Sequence, residues 1–260
     1  GADFAKANFF AAFMAAMLPI IGIQFLRSKH WLVKLYALSC GAFTANAVVL
    51  CRSRGAFLGV AIGALAALWF APKRLRKKII VLLIVGGLGG LYLTDEFFVE
   101  RILTITTDQE EMDASASGRI ELWKAGGRMF LNNPMGIGPG NWYQTIGSYL
   151  PELEGKDSHN TYVKCAVELG FLGISLFLFL IIQSYFNLQK VHFGAAGLSF
   201  EDSEEFSNFF LAMAVSLVIL MTCAITITMI YTEVVWLLLM LPVCLRRSFE
   251  NKLIDVKQAG

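Results

Sequence analysis

Four residues of this sequence carry side chains that could act together on one anion and one proton: Arg52, Arg54, Arg119 and His159. A guanidinium keeps its proton near neutral pH and offers a planar fork of donors. An arginine held without a carboxylate therefore suits paired oxygens such as those of a diphosphate. Arg52 and Arg54 lie in CRSRG (51–55), a tight turn between two apolar runs. Arg119 falls in the first turn of a helix expected over 118–133, where a cation opposes the helix dipole unless an anion also binds the free N–H groups. His159 belongs to KDSHNTYVKCAVELG (156–170), where a polar turn meets an apolar run of membrane length. A helix N-terminus disfavours the imidazolium and leaves neutral imidazole ready to accept a proton, the poise a general base needs. Each residue has a plainer reading too: Arg54 snorkelling to a headgroup, Arg119 solvated on a loop helix, His159 capping the span.

Glu168 lies nine residues past His159, about 900° around a regular helix and so on the opposite face. A carboxylate in the first turns of a span wants a partner, either Lys164 four residues back or an arginine from another span. Other features carry less chemistry. GIGPG has no preceding strand and no following Lys-Ser, which excludes a Walker or Rossmann loop. The acidic string DQEEMD fits no cation-loop spacing, and arginines that neutralise a diphosphate leave no need for a metal. His30 and His192 read as bystanders.

The elements that must hold these residues are membrane helices. The chain has 260 residues, 56% hydrophobic and 16% charged, with a mean hydropathy of +0.60, too apolar for an ordinary soluble domain. Apolar runs near 8–26, 31–51, 55–71, 79–94, 162–186, 207–231 and 234–245 give about seven spans. The net charge of +2 is spread in short basic clusters rather than one face, which argues against nucleic acid. Those clusters, RSKHWLVK (27–34), PKRLRKK (72–78) and LRRSFENK (245–252), belong on the cytoplasmic side. CRSRG, the stretch 95–160 and a short link near Thr232 then face outward. An outside start without a signal peptide implies spans upstream, hence a fragment of a longer protein. Gly55, Gly59 and Gly63 stand four apart for close helix packing, and GGLGG (86–90) is expected to do the same. The cysteines, Cys40, Cys51, Cys165, Cys223 and Cys244, lack metal or disulfide spacing.

A loop as long as 95–160 should contain helices and carry the site. TTDQEEMDASAS (106–117) reads as a mobile acidic stretch. Ser117 reads as the N-cap of a helix on which Ile120, Trp123, Gly127 and Phe130 share a face, and Asn133-Pro134 ends it. PMGIGPGNW (134–142) is a glycine-rich turn, and Ser158 can cap a span beginning at His159.

SRGAFLG (53–59), SGRIELWKAGGRMFLNNPMGIGPGNW (117–142) and SHNTYVKCAVELGFLG (158–173) together resemble the bacterial O-antigen ligase and polymerase superfamily, polytopic enzymes of glycan assembly; so does the opening GADFAKANFFAAFM (1–14). The resemblance implies an all-α, polytopic, GT-C-like membrane protein of roughly twelve spans, of which this chain would hold the last seven or so. It implies Arg54, Arg119 and His159 as catalytic residues, with Asn160, Glu168, Arg52 and Trp123 contacting substrate. It implies a glycan carried on undecaprenyl diphosphate as donor, and a lipid A core, another glycan or a protein hydroxyl as acceptor. The active face would be periplasmic on the bacterial inner membrane, without metal or cofactor. Two other classes compete: a flippase or transporter of lipid-linked glycan, and a non-catalytic membrane assembly factor. A transporter should show broken helices with polar groups at mid-membrane depth.

Overall fold

A computed structural model describes residues 7–92 and 109–259. Lys6, the first residues of the GADFAKANFF motif and positions 106–108 of the acidic stretch lie outside the described residues. Among the described residues the structure is helical, without strands. The long helices are α1 (Ala7–Arg27), α2 (Trp31–Leu50), α3 (Arg54–Phe70), α4 (Lys73–Tyr92) and α5 (Gln109–Asn132). After a short α6 (Trp142–Thr145) come α7 (Thr161–Gly194), α8 (Phe200–Cys223) and α9 (Glu233–Ala259). A helix thus falls on each of the seven expected apolar runs. Four of them, α1, α2, α7 and α8, are long and apolar enough to cross a membrane; α3 is apolar but only 17 residues. The run 207–231 is a correction, since α8 stops at Cys223 and the backbone of 224–232 is not helical.

The chain divides into two compact units, one of residues 1–93, 180–223 and 232–260, the other of 94–179 and 224–231. In the first, α1 packs on α2 and α8, and α3 packs on α8. The glycine stripe of α3 permits that last contact. A Cβ on Gly59 would lie 2.7 Å from Cys223 Sγ and 3.1 Å from the Ile219 carbonyl oxygen, and one on Gly63 would run into the Ile219 side chain. GGLGG makes no such contact among the described residues, none of which lies within 4 Å of a Cβ built on Gly86, Gly87, Gly89 or Gly90. Tyr36, Phe43 and Trp69 are 72%, 76% and 81% exposed, an outer surface suited to hydrocarbon rather than water.

The second unit has its own core. Leu122, Ala125 and Met129 of α5 are buried with Trp142, Ile146 and Val167. The helix begins at Gln109, so Ser117 is interior rather than a cap. Its buried face also differs from the expected one: Ile120 is 48% exposed and Gly127 is exposed, while Trp123 and Phe130 sit at the edge of the core. Gly126, not Gly127, makes the close approach, with Val163 and the Trp142 ring against it.

The glycine-rich turn locks onto a break in α7. Gly170 adopts φ 69° and ψ −167°, which interrupts the helix. The freed carbonyls of Val167 and Glu168 accept from the N–H groups of Ile137 and Gly138, both at 3.0 Å, and the Phe171 N–H donates to the Pro134 carbonyl at 2.8 Å. Gly136 (φ 91°) and Gly170 meet backbone to backbone, where a Cβ on Gly136 would stand 2.6 Å from the Glu168 carbonyl oxygen.

Candidate functional site

Residues 156–161 form a turn held from three directions. Trp123 and Trp142 donate their indole N–H groups to the carbonyls of Ser158 and Lys156, both at 2.9 Å. The Ser158 hydroxyl donates to the Asn160 carbonyl (3.0 Å) and stands 2.9 Å from the Thr228 hydroxyl, which accepts from the Asn160 N–H at 3.2 Å. Thr161 anchors the far end, its N–H donating to the Ala224 carbonyl and its hydroxyl to that of Ile227. The segment 224–231, where the expected span fails to continue, is therefore the strap that fixes this turn.

Asn160 is the cap of α7. Its Oδ1 accepts from the N–H groups of Tyr162 and Val163 at 2.9 and 3.0 Å, so the helix starts at Thr161 and the expected cap, Ser158, serves the turn instead. His159 precedes the cap with a left-handed backbone, φ 49°, a conformation that costs a non-glycine residue on the order of 1 kcal/mol and collects at functional sites. Its side chain remains 43% exposed, and Nδ1 lies 3.9 Å from Asp157 Oδ2.

Asp157 is the residue that sequence reasoning missed. Its side chain is 15% exposed, accepts from the Tyr143 hydroxyl at 2.9 Å and pairs with Lys164 Nζ at 3.3 Å. Burial opposes its ionisation, but the Thr228 hydroxyl, the Lys164 ammonium, the Tyr143 hydroxyl and His159 outweigh that, and its pKa falls below the ordinary carboxylate value. Burial and the Asp157 charge raise the Tyr143 hydroxyl, keeping it a donor. The Asp-x-His spacing in KDSHN was the available signal. Lys164, expected beside Glu168, instead bonds Asp157 and lies 4.1 Å from the centre of the Tyr143 ring.

Glu168 is 1% exposed, with Oε1 accepting from the Trp142 N–H at 2.9 Å and Oε2 bonded to the Tyr231 hydroxyl at 2.5 Å. It needs no cation, because a backbone amide and a phenol satisfy it. Arg119 is the eleventh residue of α5, not in its first turn, so the dipole argument for an anion there fails. Its position gives another reason for interest: it stands one turn before Trp123 on the same helix face, and Trp123 bonds the carbonyl next to His159. In the first unit, Arg54 is the exposed first residue of α3, whose N-cap Ser53 accepts from the Ala56 N–H at 3.4 Å. Arg52 is exposed and left-handed, φ 48°. Among the described residues no carboxylate pairs with Arg54 or Arg119. Nor does any group of three or more His, Cys, Asp or Glu there suit a metal ion.

The O-antigen ligase family model matches residues 40–178, more than half of the 260 and every candidate from Arg52 to Glu168. The chain belongs to the O-antigen ligase family. It is accordingly a multi-pass membrane protein of the ligase or polymerase class, whose chemistry is glycosyl transfer. No curated protein and no solved structure matches it. Within this family member the glycine turn is no phosphate cradle, since the Ile137 and Gly138 amides are already given to carbonyls of α7.

Proposed function

We propose that this O-antigen ligase family member transfers a glycan from undecaprenyl diphosphate to an acceptor hydroxyl at the periplasmic face of the bacterial inner membrane, by a metal-independent inverting displacement. Arg54 and Arg119, with Arg52 nearby in sequence, bind the diphosphate and stabilise the charge that grows on it as the C1–O bond breaks. The electron pair of that bond leaves with undecaprenyl diphosphate. His159 takes the acceptor proton as the hydroxyl oxygen bonds C1 from the opposite side, and later releases it to solvent. Asp157 positions His159: its carboxylate lies 3.9 Å from Nδ1, and its negative charge favours the imidazolium that forms as the proton is taken. Lys164 and Tyr143 keep that carboxylate ionised and in place.

The observation that carries this reading is the left-handed, half-exposed His159 beside a partly buried Asp157 whose carboxyl is held below the ordinary carboxylate range. Asn160, Trp123 and Glu168 act in it as supports of the turn. The flippase reading has one observation in its favour, the break at Gly170. Its freed carbonyls are taken up by Ile137 and Gly138, however, leaving neither for a cargo. Complementation of cells lacking the protein separates the two: an enzyme with His159→Ala accumulates donor on the outer leaflet, a flippase with the same change traps it inside. Normal surface product from both His159→Ala and Arg54→Ala would overturn the site.

A further inference from the structure

The first unit contains a cavity of about 410 Å³ that includes none of the residues around His159. Among its walls are Arg27 at the end of α1, Lys29 in the link to α2, Lys34 in α2, Lys78 in α4, and Glu204 and Asn208 in α8. The volume lies within the range of roughly 300–1,000 Å³ typical of small-molecule sites. Two of the charges are satisfied: Arg27 pairs with Glu205 at 2.9 Å, and Glu204 with Arg74 at 2.6 Å. Lys29, Lys34 and Lys78 have no carboxylate partner among the described residues. Three ammonium groups facing one space repel each other unless an anion joins them.

Asn208 adds an independent requirement. It is 4% exposed, and its Oδ1 has no hydrogen-bond partner. Buried acceptors are nearly always met, so this one asks for a donor. A bare phosphate diester serves the lysines but brings no donor. A phosphate diester carrying a glycerol hydroxyl serves both. The surrounding basic clusters, 27–34 and 72–78, are those that the positive-inside rule assigns to the cytoplasmic boundary, where anionic lipid headgroups lie.

We propose that this cavity binds the phosphoglycerol headgroup of an anionic membrane lipid, with Lys29, Lys34 and Lys78 on the phosphate and Asn208 accepting from the glycerol hydroxyl. The lysines then do more than set topology. The site is separate from the catalytic reading and stands without it.

Native mass spectrometry of the full chain in neutral detergent, titrated with defined lipids, tests it. Phosphatidylglycerol should bind at one site, and Lys34→Gln with Lys78→Gln should weaken it about tenfold or more. Both lysines are exposed, so the variant should fold. The control, Lys73→Gln with Lys77→Gln, removes the same charge from α4, at positions outside the cavity, and should change binding less than about twofold. Phosphatidylmethanol, an anionic diester without the hydroxyl, should bind about fivefold more weakly than phosphatidylglycerol, the worth of one hydrogen bond. Equal loss from the two lysine pairs, equal binding of phosphatidylmethanol or phosphatidylcholine, or displacement of the lipid by inorganic phosphate at matching concentration would each overturn the proposal.

Discussion

In the first unit Gly59 and Gly63 keep helical backbone and let α3 press against Ile219 and Cys223 of α8; in the second, Gly136 and Gly170 leave it to lock a loop onto a broken helix. The neighbours differ accordingly. A methyl group on Gly63 meets the Ile219 side chain, which can turn, whereas one on Gly170 meets the backbone of Met135 and Gly136, which cannot. At Gly63 the span bundle thus rests on a side-chain contact that can adjust, and at Gly136 and Gly170 the loop unit rests on backbone contacts and hydrogen bonds that fit in one way. Gly170→Ala should cost about 3 kcal/mol or more, combining left-handed strain with a backbone clash, against about 1–3 kcal/mol for Gly63→Ala. Thermal unfolding in detergent measures both, and a larger loss from Gly63→Ala would reverse the comparison.

Among the described residues, the two left-handed ones other than glycine sharpen the contrast between building and acting. Arg52 and His159, one in each unit, are both candidates for the site. Strain held at such positions is released by glycine. His159→Gly should therefore lose about 10²- to 10⁴-fold in glycosyl transfer while gaining about 1 kcal/mol in stability. Assaying transfer and melting temperature on the same preparation checks this, and a fall in both would make His159 a structural residue.

Asp157 and Lys164 test whether the loop unit's ion pair serves the fold or the reaction. Removing one partner strands the other, since the side chains are 15% and 5% exposed. Asp157→Ala should cost about 3–5 kcal/mol, and adding Lys164→Met should recover most of that without restoring transfer. The pH dependence follows from the lowered pKa of Asp157. A carboxylate whose pKa is depressed by folding contributes stability above its unfolded value, and that contribution is lost as pH falls through the folded value. Wild-type melting temperature should accordingly drop on acidification below the ordinary carboxylate range, and the double variant should drop less. Parallel curves would assign the acid sensitivity to other groups.

The same contrast explains what the sequence made legible. Spans announce themselves through apolar length, so a helix falls on every expected run, and the stripe of Gly55, Gly59 and Gly63 gave the α3 contact. The loop unit depends on partners far apart in the chain. Trp142 and Val163 decide that Gly126 rather than Gly127 faces inward, and Thr228 decides how the turn at Ser158 closes. His159 is visible by type, whereas Asp157 shows in the sequence only as the first member of an Asp-x-His spacing, because its role rests on Lys164, Tyr143 and Thr228 converging on it. A helix starting at residue 118 would put Arg119 against the dipole, an effect that its place inside α5 removes; Trp123, one turn on, ties the same helix face to the Ser158 carbonyl.

The smallest expected effect concerns the glycines that do neither kind of work. Gly86 and Gly87 lie inside α4 with open space where a Cβ would go. A helix-interior glycine costs roughly 0.5–1 kcal/mol relative to alanine through backbone entropy alone. Gly86→Ala should therefore raise stability by about that amount and leave transfer unchanged. This is the opposite sign to Gly63→Ala one helix away in sequence, although both replace a glycine in an apolar helix by the same residue. The sign is set by Ile219, present at one position and matched by nothing at the other. Destabilisation by Gly86→Ala would mean that α4 has a close neighbour at that face, and GGLGG would then be a packing stripe after all.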